Sequence, residues 1–233
     1  MGKANFESEL KRQISRGDAS ILRARRANPG TQRAFIAIQL PNDLLEALQA
    51  VQQRLESAFP PKTVRWLPAA QMHLTLRFLG NVPSAHIRDL QEALAEACRN
   101  AAPLRLCAQG IGCFPNPGRP RVIWVGMEGD IEKLLALQSR IAPATEPWCE
   151  RKEDRSFRPH LTLGRVRETS ARARREIAKG LTNASSGVLG EWTAREVHLM
   201  SSRLSAKGAE HSVLASIELT DTASVLGPPR PQP

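Results

Sequence analysis

The tetrapeptide His-Leu-Thr-Leu occurs twice, as His73-Leu74-Thr75-Leu76 and as His160-Leu161-Thr162-Leu163. No other feature of the chain limits its fold as tightly. In a β-strand, side chains at i and i+2 share a face and stand about 6.5–7 Å apart. In each copy His and Thr therefore point to one side and the two leucines to the other. A fold that satisfies both copies must bury two leucine pairs and present two identical polar pairs. With five histidines in 233 residues, one such tetrapeptide arises by chance with a frequency on the order of 10⁻³. A single His-x-Thr reads as the solvent face of an ordinary amphipathic strand. Two identical copies read as one site built by two strands.

Between the motifs, strand and helix signals alternate. Ala34-Phe35-Ile36-Ala37-Ile38-Gln39-Leu40 reads as a buried strand. Pro41-Asn42 opens a helix to about residue 59, with Leu44, Leu45, Leu48, Val51 and Leu55 on one face. The first motif strand is expected over 72–79, closed by Gly80-Asn81, and Ser84 is expected to cap a helix bearing Ile87, Leu90, Leu94 and Cys98. Strands are expected near 104–109 and 122–127, and Asp130 is expected to cap a helix to about residue 141. A polar connection over 146–156 leads to the second motif strand over 159–166, and Ser170 starts a basic helix to about residue 181. Strands near 196–201 and 213–219 close the domain. Each motif strand is followed by a turn and a helix, which outlines an internal duplication.

The ends read differently. Residues 1–32 carry Lys3, Lys11, Arg12, Arg16, Arg23, Arg25 and Arg26 against Glu7, Glu9 and Asp18, with poor apolar periodicity. They are expected to form a flexible basic arm ending in the Asn28-Pro29-Gly30 turn. Residues 33–220 form the folded domain, and 221–233 a proline-rich tail. Hydrophobic content is 41% but aromatic content only 4%, so Leu, Ala, Val and Ile must build the core. No apolar run approaches the roughly 18 residues of a membrane span, and no secretory leader is visible. The four cysteines, Cys98, Cys107, Cys113 and Cys149, form no paired spacing and read as reduced thiols of a cytoplasmic protein. The net charge of +10 rests mainly on arginine, which suits a polyanionic partner, nucleic acid above all. The absence of heptads points to a monomer.

His73 and His160 are the candidate acid–base pair, with the Thr75 and Thr162 hydroxyls placed to hold phosphoryl oxygens. Pro159 keeps Arg158 extended and stiffens the approach to His160. Arg165 falls on the opposite face of a regular strand, so reaching the cleft needs a strand end or a bulge near Gly164. Phe78 and Phe157 are each either core residues or stacking surfaces for a nucleobase. Trp66 and Trp124 lean toward the core. His86, His198 and His211 lack a threonine partner and receive no catalytic assignment. No metal-binding spacing is present, so neither a metal nor another cofactor is expected.

These motifs resemble the two-histidine (2H) phosphoesterase superfamily, and more closely its RNA 2′,3′-cyclic phosphodiesterase branch, also called 2′-5′ RNA ligase-like. Beyond the tetrapeptides, the resemblance rests on Arg33-Ala34-Phe35-Ile36-Ala37-Ile38, Val64-Arg65-Trp66, Arg77-Phe78-Leu79-Gly80, Phe114-Pro115, Gly118-Arg119-Pro120-Arg121-Val122-Ile123-Trp124, Phe157-Arg158-Pro159, Gly164-Arg165, Ser202-Arg203-Leu204 and Gly208-Ala209. It spans roughly residues 33–220. It implies a bilobed α+β fold, with two antiparallel sheets, helices on the outside and pseudo-two-fold duplicated lobes around a central cleft. It also implies His73 as general acid, His160 as general base, Thr75 and Thr162 as phosphate ligands and Arg165 as a phosphate contact. Where the family commonly carries a tyrosine, two positions after Gly208-Ala209, this chain has His211, and it contains no tyrosine at all.

The expected reaction is metal-independent opening of a 2′,3′-cyclic phosphate at an RNA end, or in a cyclic nucleotide, to a 2′-phosphomonoester. Imidazole titrates near pH 6.5, so one neutral and one protonated ring are accessible without tuning. Two alternatives stay open at this level: 2′-5′ RNA ligation, which is the reverse chemistry on the same residues, and a non-catalytic module that binds RNA ends.

Overall fold

The computed structural model describes residues 30–151, 156–167, 170–184, 187–205 and 208–220. In chain order these residues form β1 (Thr31–Ile38), α1 (Asn42–Ala58), β2 (Val64–Trp66), β3 (Leu74–Pro83), α2 (Ile87–Cys98), β4 (Leu104–Phe114), β5 (Val122–Gly129), α3 (Ile131–Thr145), β6 (His160–Val166), α4 (Ala171–Asn183), β7 (Val188–Ala194), β8 (Glu196–Ser205) and β9 (Gly208–Glu218). Most of the expected basic arm and the whole proline-rich tail lie outside the described residues. β1 already begins at Thr31, inside the last residues allotted to the arm.

Every strand pairs antiparallel, in the order β7-β4-β5-β6-β3-β1-β8-β9, with β2 added to β6. The architecture is α+β, as expected. The two expected sheets meet in the middle: β3 and β6 are joined by one residue pair, Leu74 with Leu161. On one side of that seam lies the lobe β3-β1-β8-β9; on the other lies β6-β5-β4-β7.

Helices cover the leucine face of each lobe, because that face carries the apolar half of every strand. Leu44, Leu48, Val51 and Leu55 of α1 are buried, and α1 packs on β7 and α4. The Gln52 amide of α1 donates to the carbonyls of Leu67 and Leu163, at 2.8 and 2.7 Å, tying the helix to the middle of β6 and to the residue after β2. α2 and α3 pack together over the other lobe. Gln138 of α3 donates to the Leu76 carbonyl of β3 at 3.4 Å. The α1 that follows β1 thus covers the partner lobe, and the α3 that follows β5 covers the lobe of β3. β4 and β8 cross over in the same sense, so each lobe contains a helix and two strands from the other half of the chain: β8 and β9 in one, β2 and β4 in the other.

Several boundaries depart from the sequence reading. β3 runs through Gly80-Asn81 to Pro83, because Gly80 takes a left-handed conformation (φ +84°) that kinks the strand without ending it. A Cβ at Gly80 would also meet the Glu150 side chain at 2.4 Å, and Glu150 accepts the Asn81 backbone N–H at 3.1 Å. Ser84 opens a short 3₁₀ turn, Ser84–His86, and α2 begins only at Ile87. Asp130 precedes α3, but its carboxylate takes the Arg105 N–H at 2.8 Å and caps no helical N–H. Ser170 does cap α4, accepting from the Ala173 N–H at 3.2 Å. β2 has only three residues and β7 interleaves Gly190 and Glu191 with its apolar residues, so neither shows a clear strand pattern.

Candidate active site

Leu74 and Leu161 occupy the second position of their tetrapeptides and lie directly opposite each other, so the pseudo-two-fold axis passes between them. Leu74, Leu161 and Leu163 are 0% exposed and Leu76 is 2% exposed. The alternation of a strand then turns His73, Thr75, His160 and Thr162 to the opposite face. One step along an antiparallel pair sets His73 toward Thr162 and His160 toward Thr75. The ladder holds for one pair only, so the strands splay on both sides and leave a cleft with the four polar residues on its floor.

Both motif strands bulge at the same place. Leu76 has no counterpart on β1 between the pairs Thr75–Ala37 and Arg77–Ile36. Leu163 has none on β5 between Thr162–Trp124 and Gly164–Ile123. A bulge reverses which face the following residues use. It turns Arg77 into the protein, where it pairs with Glu146 and donates to Cys149 Sγ at 3.0 Å. It also brings the fifth residue after each histidine back to the cleft face. In one lobe that residue is Phe78, 56% exposed; in the other it is Arg165. The bulge required for Arg165 to reach the cleft is therefore present. Gly164 permits it: a Cβ there would lie 2.8 Å from Val64 Cγ1 and 2.9 Å from the Trp66 ring.

The two imidazoles sit in different surroundings. His160 Nδ1 lies 2.7 Å from the Arg158 carbonyl, which can only accept, so Nδ1 carries the proton and Nε2 keeps its lone pair. The Phe114 ring meets His160 edge-on at 4.9 Å. Burial lowers the His160 pKa, the Arg158 carbonyl opposes that, and the Arg165 guanidinium lowers it further. His73 stacks on Phe35, with ring centroids 4.7 Å apart, and meets the edge of His211 at 5.4 Å. Burial first and then the neighbouring His211 push the His73 pKa down to about 4, against a backbone hydrogen bond to Gln71. Free imidazole titrates near 6.5; removal from water shifts both rings toward the neutral form.

Sequence reasoning missed Phe35, Phe114 and His211. Nothing local in the sequence marks a strand phenylalanine such as Phe35 or Phe114 as facing a histidine. His211 stands out in the sequence only as a departure from the family pattern. Trp124 lies opposite Thr162 and turns its ring over Gly112, where a Cβ would stand 2.2 Å from it. It is a half-buried residue of the cleft face rather than of the core proper. Trp66 and Phe157 pack against the core. His86 is exposed beside Asp89, and His198 bonds Ser216 Oγ at 3.0 Å, outside the motif pair.

Comparison with known proteins decides the family. The model of the family described as LigT like Phosphoesterase matches twice, over residues 38–124 and 125–209. The chain is a LigT-like phosphoesterase. A protein of Archaeoglobus fulgidus named RNA 2′,3′-cyclic phosphodiesterase is 31% identical over 186 residues, covering 80% of this chain and 99% of that one. A protein of the same name from Thermus thermophilus is 30% identical over 199 residues, covering 80% and 90%. The crystal structure of TT0787 of Thermus thermophilus superimposes with a TM-score of 0.64 at 28% identity, covering 80% of this chain and 97% of that one. E. coli LigT complexed with NADP+ gives 0.62 at 26% identity, covering 82% and 98%. The double match of the family model agrees with the duplication seen in the two tetrapeptides.

In this phosphoesterase the four cysteines are free thiols. Among the described residues no three His, Cys, Asp or Glu side chains converge as a metal site would require, and no helix is long and apolar enough to cross a membrane.

Proposed function

We propose that the chain hydrolyses 2′,3′-cyclic phosphate ends of RNA to 2′-phosphomonoester ends. The observation that carries this reading is the seam: identical His-Leu-Thr-Leu strands from the two halves of the chain are joined at Leu74–Leu161 and turn both histidines and both threonines to one cleft. The relatives named RNA 2′,3′-cyclic phosphodiesterase support the substrate class.

In the proposed reaction His160 Nε2 accepts a proton from water as its oxygen attacks phosphorus in line. The bond from phosphorus to the 3′ oxygen breaks, and protonated His73 delivers a proton to that oxygen, leaving a 3′-hydroxyl and a 2′-phosphate. Thr75, Thr162 and Arg165 hold the phosphoryl oxygens as charge builds on them, and Phe78 offers its exposed ring to the terminal base. His73 rests neutral near pH 7. The negative charge of the incoming phosphate raises its pKa and supplies the acid form where it is used. No metal takes part. The site is completed within one chain, which supports a monomer, and the free thiols support a cytoplasmic setting.

The test is product analysis on a short RNA ending in a 2′,3′-cyclic phosphate, with EDTA present. A 2′-phosphate end is the expected product. Joined 2′-5′ fragments would move the assignment to ligation. Retention of unchanged RNA on the protein would reduce it to binding.

A further inference from the structure

The pseudo-two-fold is broken at one position in the cleft: the fifth residue after the motif histidine is Phe78 in one lobe and Arg165 in the other. This gives the cleft an aromatic end and a basic end. At the basic end β2 lies along the same edge of β6 that β3 meets further back, and Arg65 of β2 stands directly opposite Arg165. Directly opposed residues share a face, with Cβ atoms about 4.5–5.5 Å apart. The neighbours of Arg65 confirm that face: Val64 and Trp66 turn into the core, and Arg65 is exposed. Two guanidinium groups therefore stand side by side on the cleft face of the seam. Like charges so placed destabilise a sheet. Among the described residues neither makes an ion pair with a carboxylate. Arg165 is exposed on the strand, and partial desolvation of its guanidinium, then the charge of Arg65, holds its pKa below the ordinary arginine value.

We propose that Arg65 and Arg165 form a second phosphate subsite, which takes the phosphodiester next to the reacting cyclic phosphate and so makes an RNA strand, rather than a mononucleotide, the preferred substrate. The inference rests on the function proposed above and names its substrate class more narrowly. Arg165 lies beside His160, close to the phosphorus that the two imidazoles share, whereas Arg65 is one strand removed. A single phosphate held between His73 and His160 engages Arg165 and leaves Arg65 without an anion. A neighbouring phosphate in the same strand satisfies both cations, since guanidinium groups bind phosphate oxygens in paired, charge-assisted contacts. The aromatic end of the cleft then receives the terminal base, and the rest of the strand leaves past Arg65.

Two quantities are compared for a 2′,3′-cyclic mononucleotide and for the dinucleotide that carries one further phosphodiester. One is kcat/KM; the other is equilibrium affinity for the corresponding 2′-phosphate products, which needs no turnover. The unaltered protein is expected to favour the dinucleotide about tenfold or more, the size of one charge-assisted contact, and the preference should weaken with added salt. Arg65→Gln should collapse that ratio toward one, chiefly through KM, and Arg65→Lys should restore much of it. If Arg65→Gln weakens both ligands equally, or leaves the ratio unchanged, the second subsite is overturned. If the unaltered protein turns over neither ligand, the proposed reaction fails, and the affinity ratio still decides the subsite by the same criterion.

Discussion

At the scale of the residue, the two histidines have different neighbours, and the proposed division into acid and base follows from that difference. His160 is fixed by a carbonyl on Nδ1, which leaves Nε2 its lone pair for the proposed role of base. His73 is held between Phe35 and the edge of His211, and both burial and His211 favour its neutral form. The proposed reaction needs His73 protonated and His160 neutral. That pairing is most populated midway between the two free-protein pKa values, one about 4 and the other lowered from 6.5. The kcat/KM optimum is therefore expected on the acid side of pH 6.5. The kcat optimum should lie at higher pH, because bound phosphate raises both values. Coincident optima near neutrality, measured across a pH series, would contradict this. His211→Phe keeps a ring edge against His73 and removes the nearby positive charge that His211 carries when protonated. NMR titration of the His73 ring should then move to higher pH; an unmoved titration would deny His211 its influence.

At the scale of the element, the paired bulges at Leu76 and Leu163 decide what reaches the cleft. The period-two pattern of each tetrapeptide was legible in sequence, and so were the burial of its leucines and the need for a strand end or a bulge before Arg165. The bulges themselves were not legible, because they depend on which β1 and β5 residues sit opposite. Arg77 shows the consequence: a regular strand would turn it to the cleft, and the bulge buries it against Glu146 and Cys149. β2 was also invisible as a strand, although its Val64 and Trp66 fill the space beside Gly164. Gly164→Ala should consequently destabilise the protein by about 1–3 kcal/mol, the usual cost of overpacking a filled site. It should also lower kcat/KM by displacing Arg165. Urea denaturation and kinetics of this one variant check both effects, and an unchanged midpoint would show that the packing against Val64 and Trp66 yields easily.

At the scale of the whole molecule, two repeats are woven into two lobes rather than set side by side. A duplication was legible from the tetrapeptides, but the exchange was not, because helix and strand signals do not say which sheet they cover. α1 and β4 serve the lobe of β6, while α3 and β8 serve the lobe of β3. Neither lobe has a complete core without the other half of the chain. Unfolding should therefore be a single cooperative transition, with near- and far-ultraviolet circular dichroism tracing one curve in urea; two separated transitions would show lobes that stand alone. The same weave brings His73 and His160 to one seam. The most direct test of that arrangement is a kinetic cycle on a 2′,3′-cyclic phosphate RNA end with His73→Ala, His160→Ala and the double variant. Each single change should cost about 10²–10⁴ in kcat/KM, and the double change little more, because groups that act as a unit on one phosphorus lose their effect together. Near-full activity in either single variant, or losses that simply multiply in the double, would contradict the account.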